Sequence, residues 1–155
     1  MIAGLQRIPL RIHEDERGWF CELRRDSALP NRMPQTNVSF SRAGVIRGLH
    51  FHARGQDDLF ACLRGTARVV VLDTVTDDTF TEDIGEDNPV AIYVPGRCAH
   101  GFEALTDILF CYHVTVEFDP SDPDEHTVPW NDPRVAHLWS TSTPILSARD
   151  AAVES

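Results

Sequence analysis

The 155-residue chain carries a formal net charge of −10, and all 14 of its basic residues are arginine. A protein so acidic repels a nucleic-acid duplex unless it concentrates a basic patch, so nucleic-acid binding is not expected. The length fits one domain, residues 1–155, with a core large enough to fold without a disulfide or structural zinc.

The start, Met1-Ile2-Ala3-Gly4-Leu5, lacks the charged and then apolar regions of a signal peptide. No apolar run is long enough to span a membrane. Cys21, Cys62, Cys98 and Cys111 show no Cys-x-x-Cys spacing, which predicts reduced thiols and a cytoplasmic protein without membrane partners.

Strand signals dominate the chain. Phe20-Cys21-Glu22-Leu23 alternates after a turn at Asp15-Glu16-Arg17-Gly18. Gln35 to Ser41 alternates as well and puts amides and hydroxyls on one face. Leu59 to Leu63 runs into a turn at Arg64-Gly65, and Ala67 to Asp73 is nearly continuously apolar, as a buried strand would be. Val90 to Val94 stops at Pro95-Gly96, and Ile108 to Val116 reads as another long strand. Helix signals are few: Asp132 to Leu138, with Pro133 just past a capping Asp, is the best. Residues 119–134 read as an ordered surface loop. Strands spaced about ten to twenty residues apart predict an all-β sandwich or jelly-roll barrel.

His50 and His52 are two apart, so on one strand both face the same way. His100 follows Pro95-Gly96-Arg97-Cys98-Ala99, where a strand should begin. Three inward imidazoles could bind a metal or transfer protons. His50-x-His52, then Asp58 ahead of Gly65, then His100 approximates the ligand pattern of metal-binding cupins, and such a set suits Zn, Fe, Ni or Mn.

Six stretches carry a family resemblance. They are Asp15 to Phe20, Gln35 to Ser39, Arg47 to Phe51, Pro95 to Phe102, Trp130 to Pro133, and Leu146 to Asp150. In this order they resemble the dTDP-4-dehydrorhamnose 3,5-epimerase family. The resemblance implies a metal-free and cofactor-free cupin (a double-stranded β-helix), a homodimer, and a nucleoside-diphospho-4-keto-6-deoxysugar as substrate. It implies that His50 is the base next to the C4 ketone, that Asp150 orients His50, and that Tyr112 is the acid on the other face. Arg17, Phe20, Gln35, Asn37, Arg47, Gln56 and His100 match positions that line the substrate and nucleotide site.

The chain departs from this family at the position aligned with Asp58, usually a lysine that helps stabilise the enolate. His52 stands where Gln is usual, and Phe118 where a second tyrosine is common. Two unit charges ~4 Å apart interact by ~4 kcal/mol at an effective dielectric of 20, so a charged Asp58 facing an enolate would be costly. It is expected to turn away, hold a proton, or serve another role. Three alternatives therefore stand beside the epimerase: a sugar-nucleotide 3,4-ketoisomerase, a metallo-cupin using His50, His52, Asp58 and His100, and a non-catalytic sugar-nucleotide binder.

Overall fold

The computed structural model describes residues 1–153. Strands β1 (Gln6–Pro9), β2 (Ile12–Asp15) and β3 (Gly18–Cys21) precede the longer β4 (Gln35–Ser41) and β5 (Ile46–Phe51). Then come β6 (Asp58–Arg64), β7 (Thr66–Asp73), β8 (Thr79–Gly85) and β9 (Val90–Val94). β10 (Cys98–Ala104), β11 (Ile108–Val114) and the two-residue β12 (His126–Thr127) complete the set.

One five-stranded sheet runs β1-β9-β6-β11-β4, a second runs β12-β5-β10-β7-β8, and β2 and β3 form a hairpin of their own. All the strand pairings are antiparallel. The architecture is the expected all-β, cupin-type jelly roll, with its sheets packed face to face.

Alternate residues of the central strands meet between the sheets. Phe60, Val69, Val71, Ile92, Phe102 and Phe110 belong to this core. Each such side chain contributes about 1.5–3 kcal/mol by leaving water. The outer faces of two strands are covered as well. Val70 and Leu72 of β7 pack on Val135 and Trp139 of the C-terminal segment. Leu59 and Ala61 of β6 pack on Met33 and Tyr93. Burial on both faces explains why these strands read as continuous apolar runs instead of alternating.

Two local expectations differ from the fold. The helix predicted over residues 132–138 is only a 3-10 turn at Ala136–Leu138. Asp132 is committed to Arg134, accepting from its backbone N–H at 3.0 Å and its guanidinium at 2.8 Å. The chain is then drawn across the sheet to Glu103, whose carboxylate accepts from Ser140 N at 2.8 Å. The loop expected over residues 119–134 contains β12, which pairs with β5 beside His50.

A single helical turn, α1 (Ala148–Ala151), closes the described chain; Ser147 caps it by accepting from Asp150 N at 3.1 Å.

Candidate active site

The two sheets diverge around a cavity of about 820 Å³. His50 enters from β5, Tyr112 and Phe60 from the facing sheet, and Arg149 and Asp150 from α1. Glycines let β5 and β10 approach closely at its floor. Gly48 has φ +138°, and a Cβ there would stand 2.7 Å from Gly101 Cα. A side chain at either glycine would force these strands apart. Their approach puts His50 directly opposite His100 across the ladder.

His50 Nε2 lies 2.8 Å from Asp150 Oδ1. Burial alone would raise the Asp150 pKa, but the hydrogen bond and charge of His50, with Gly48 N and Arg149, outweigh it and hold the carboxyl below its ordinary value. A carboxylate only accepts, so His50 Nε2 carries its hydrogen and Nδ1 keeps the free lone pair. Arg149 Nη2 comes within 2.6 Å of the same Nε2, while Nη1 donates to Glu125 at 2.9 Å. Two N–H groups cannot hydrogen-bond to each other, so with the hydrogen of Nε2 given to Asp150 the approach of Arg149 adds positive charge and not a hydrogen bond.

Tyr112 sits on β11 opposite Asn37, and its ring meets Phe60 edge-on. Burial first, then the Asp58 charge, raises the phenol pKa, so it keeps its proton. Arg47 is anchored by donating to Ser41 Oγ at 2.9 Å and to the Phe40 carbonyl at 3.2 Å. Gln35 donates to Asn37 at 2.9 Å and accepts from Phe118 N at 2.7 Å.

Asp58 does not turn away. It lines the cavity with 2% of its surface exposed. Burial pushes its pKa up to about 7, against the opposing charge of His52 and the hydrogen bond of Gln56. Burial also pushes His100 down to about 4. His52 lies just past β5; burial and then the His100 charge lower its pKa.

Of the sequence-predicted residues, His50, Asp150, Tyr112, Gln35, Asn37, Arg47, Gln56 and His100 share this cavity. Arg17 and Phe20 do not line it. They lie exposed on the β2–β3 hairpin, where Arg17 pairs with Asp15. The four-residue metal set weighed as an alternative divides, because His50 is bound to Asp150 while His52, Asp58 and His100 converge. Sequence reasoning missed Glu125 and gave Arg149 no role. Arg149 lies in the Leu146 to Asp150 stretch, next to Asp150, which was the available signal. Glu125 lies in a loop whose path only the fold reveals.

The family model described as dTDP-4-dehydrorhamnose 3,5-epimerase matches residues 1–155. The spore coat polysaccharide biosynthesis protein SpsL of Bacillus subtilis is 37% identical over 149 residues, covering 91% of this chain and 98% of SpsL. NovW, a 4-keto-6-deoxy sugar epimerase from the novobiocin cluster of Streptomyces spheroides, superposes with a TM-score of 0.87 at 32% identity, covering 97% of this chain and 82% of NovW. An epimerase of Legionella pneumophila in complex with dTDP-4-keto-L-rhamnose also gives a TM-score of 0.87, at 29% identity over 97% of this chain and 87% of its own. The chain belongs to the dTDP-4-dehydrorhamnose 3,5-epimerase family of carbohydrate epimerases.

Proposed function

We propose that this chain is an isomerase that inverts C3, or C3 and C5, of a nucleoside-diphospho-4-keto-6-deoxysugar. One observation carries the proposal: His50, paired with the buried Asp150, and a protonated Tyr112 extend from opposite sheets into one cavity. Inversion at a carbon next to a ketone needs a base on one ring face and an acid on the other. His50 Nδ1 takes the proton, and Asp150 stabilises the imidazolium through Nε2. Tyr112 returns a proton from the opposite side, and solvent restores the phenol. The net change is redox-neutral.

Arg47, Gln35 and Asn37 are the polar groups for the nucleotide and diphosphate; a guanidinium fork suits phosphate oxygens. We further propose a homodimer. Val38 and Phe40 of the edge strand β4 are each 59% exposed beside Leu109, an apolar face suited to a second copy. Arg17 and Phe20 are absent from the cavity wall and would serve the site of a neighbouring copy. Light scattering at micromolar concentration tests this; a mass of one chain would remove the dimer.

No helix among the described residues is long and apolar enough to cross a membrane. The four cysteines are free, as in a reducing compartment, and we place the reaction in the cytoplasm.

Incubation in D₂O with a dTDP-linked 4-keto-6-deoxyhexose tests the reaction. Mass gain of one or two deuterons is expected; no gain with several such sugars would exclude epimerisation.

A further inference from the structure

A second carboxylate–imidazole cluster lies in the same cavity and takes no part in the proton transfers described above. His52, Asp58 and His100 each offer one donor atom, and the three atoms lie within 4.8 Å of one another. His52 Nδ1 is 2.6 Å from the Asp124 carbonyl, and His100 Nδ1 is 3.1 Å from the Cys98 carbonyl. A carbonyl oxygen can only accept, so both Nδ1 atoms carry the hydrogen. On a neutral imidazole the Nε2 atom then holds the lone pair. Both rings thus turn an acceptor toward Asp58, itself an acceptor when ionised.

Gln56 satisfies part of this set. Its Nε2 donates to His52 Nε2 at 3.1 Å and to Asp58 Oδ1 at 3.3 Å. Asp58 Oδ2 is left with no hydrogen-bond partner, although it is buried and 3.1 Å from His100 Nε2. An ionised, orphaned carboxylate oxygen buried against two imidazole lone pairs is costly unless a proton or a cation sits between them. Donor atoms bound at about 2.1 Å to one ion stand roughly 3.0–3.4 Å apart, so the Asp58–His100 separation already fits, and small side-chain rotations would bring in His52.

We propose that His52 Nε2, Asp58 Oδ2 and His100 Nε2 bind one divalent first-row transition-metal ion. Two imidazoles with one carboxylate favour Zn, Mn, Fe, Co or Ni over the oxygen-seeking Mg and Ca. The carbonyl bonds at both Nδ1 atoms are the outer support that orients metal-ligating histidines. His50 is excluded from the set, because Asp150 holds it. Three protein ligands leave coordination positions open to the cavity, as in catalytic metal sites. The use of the ion rests on the proposed epimerase reaction, in which the cation at Asp58 would stabilise charge developing on the C4 oxygen.

The test is metal content. The full chain is stripped with chelator, given Zn²⁺ or Co²⁺ alone, dialysed and analysed by elemental mass spectrometry. About one ion per chain is expected. D58N and H52Q should each lower retention at least tenfold, whereas H50A should keep the ion. Co²⁺ should give visible d–d bands that vanish in D58N. Sub-stoichiometric metal in the unmutated chain, or an ion held equally by folded D58N and H52Q, would overturn the site and leave a buried proton between Asp58 and His100. Deuterium wash-in separates the two proposals. A bound ion with no exchange for any sugar would remove the epimerase and keep the site. Exchange unchanged by stripping would remove the ion's catalytic part.

Discussion

The cavity holds two pairings of the same kind, His50 with Asp150 and His100 with Asp58, and their surroundings differ in sign. Asp150 is 3% exposed, yet Gly48 N, His50 and Arg149 supply donors or positive charge, and its carboxyl stays below the ordinary value. Asp58 is 2% exposed, has one amide donor in Gln56, and is pushed up to about 7. Burial alone therefore does not decide the state of a carboxylate; the donors around it do. The first pair is built to hold a charge through a proton transfer. The second leaves Asp58 Oδ2 without a hydrogen-bond partner beside two imidazoles, the arrangement proposed above to take a cation. Two carboxyl groups driven apart in pKa within one site mark a division of labour.

The largest effect expected on this comparison comes from His50. H50A should lower deuterium wash-in by about 10³-fold, within the range for loss of a positioned base; a variant retaining a tenth of the rate would remove His50 from the role. D150N should follow, with a loss of roughly 10²-fold in kcat at little change in KM, because the amide neither stabilises the imidazolium nor fixes the tautomer. An equal loss in KM would point to substrate contact instead. Y112F should divide the reaction: exchange with D₂O at the abstracted proton continues while formation of the inverted sugar drops on the order of tenfold or more. Parallel loss of both would contradict an acid on the far face.

The smallest effect is spectroscopic. The chain's two tyrosines, Tyr93 and Tyr112, both have pKa values raised, burial first, above the ordinary 10. A raised phenol keeps its proton in the fold after the unfolded chain has lost it. Stability is therefore intact below pH 10 and declines as pH rises past 10. Phenolate absorbance near 295 nm should stay low at pH 10 and appear with unfolding; a reversible step at pH 10 in the folded protein would contradict the burial of these rings.

Much of this molecule was legible in its sequence. β4 showed its alternation because one face meets the cavity and the other meets solvent. β6 and β7 showed continuous apolar runs because both faces are covered. β5 and β10 were signalled only through their histidines, since Gly48 and Gly101 dilute the apolar pattern; those glycines serve a close strand approach that becomes visible in three dimensions. The predicted helix at residues 132–138 shrank to one turn because Arg134 folds back locally onto Asp132 and a long-range bond from Ser140 to Glu103 draws the segment across the sheet.

The site divides in the same way. His50, Tyr112 and Asp150 were marked by local motifs, and the fold gathers them in one cavity. The departure at Asp58 was visible in sequence, but not its outcome. An inward, orphaned carboxylate depends on Gln56 and His52 of the β5–β6 loop and on His100 of β10, which only the fold brings together. The positions of Arg17 and Phe20 follow from a hairpin that stands apart from both main sheets.

The most direct test of the central claim is position-resolved NMR of a dTDP-4-keto-6-deoxyhexose turned over in D₂O, with the unmutated chain and H50A side by side. Deuterium at C3, or at C3 and C5, with the unmutated chain and none above background with H50A is the result expected. Deuterium at neither carbon, or equal labelling by both proteins, would contradict a base at His50 acting beside the sugar's ketone.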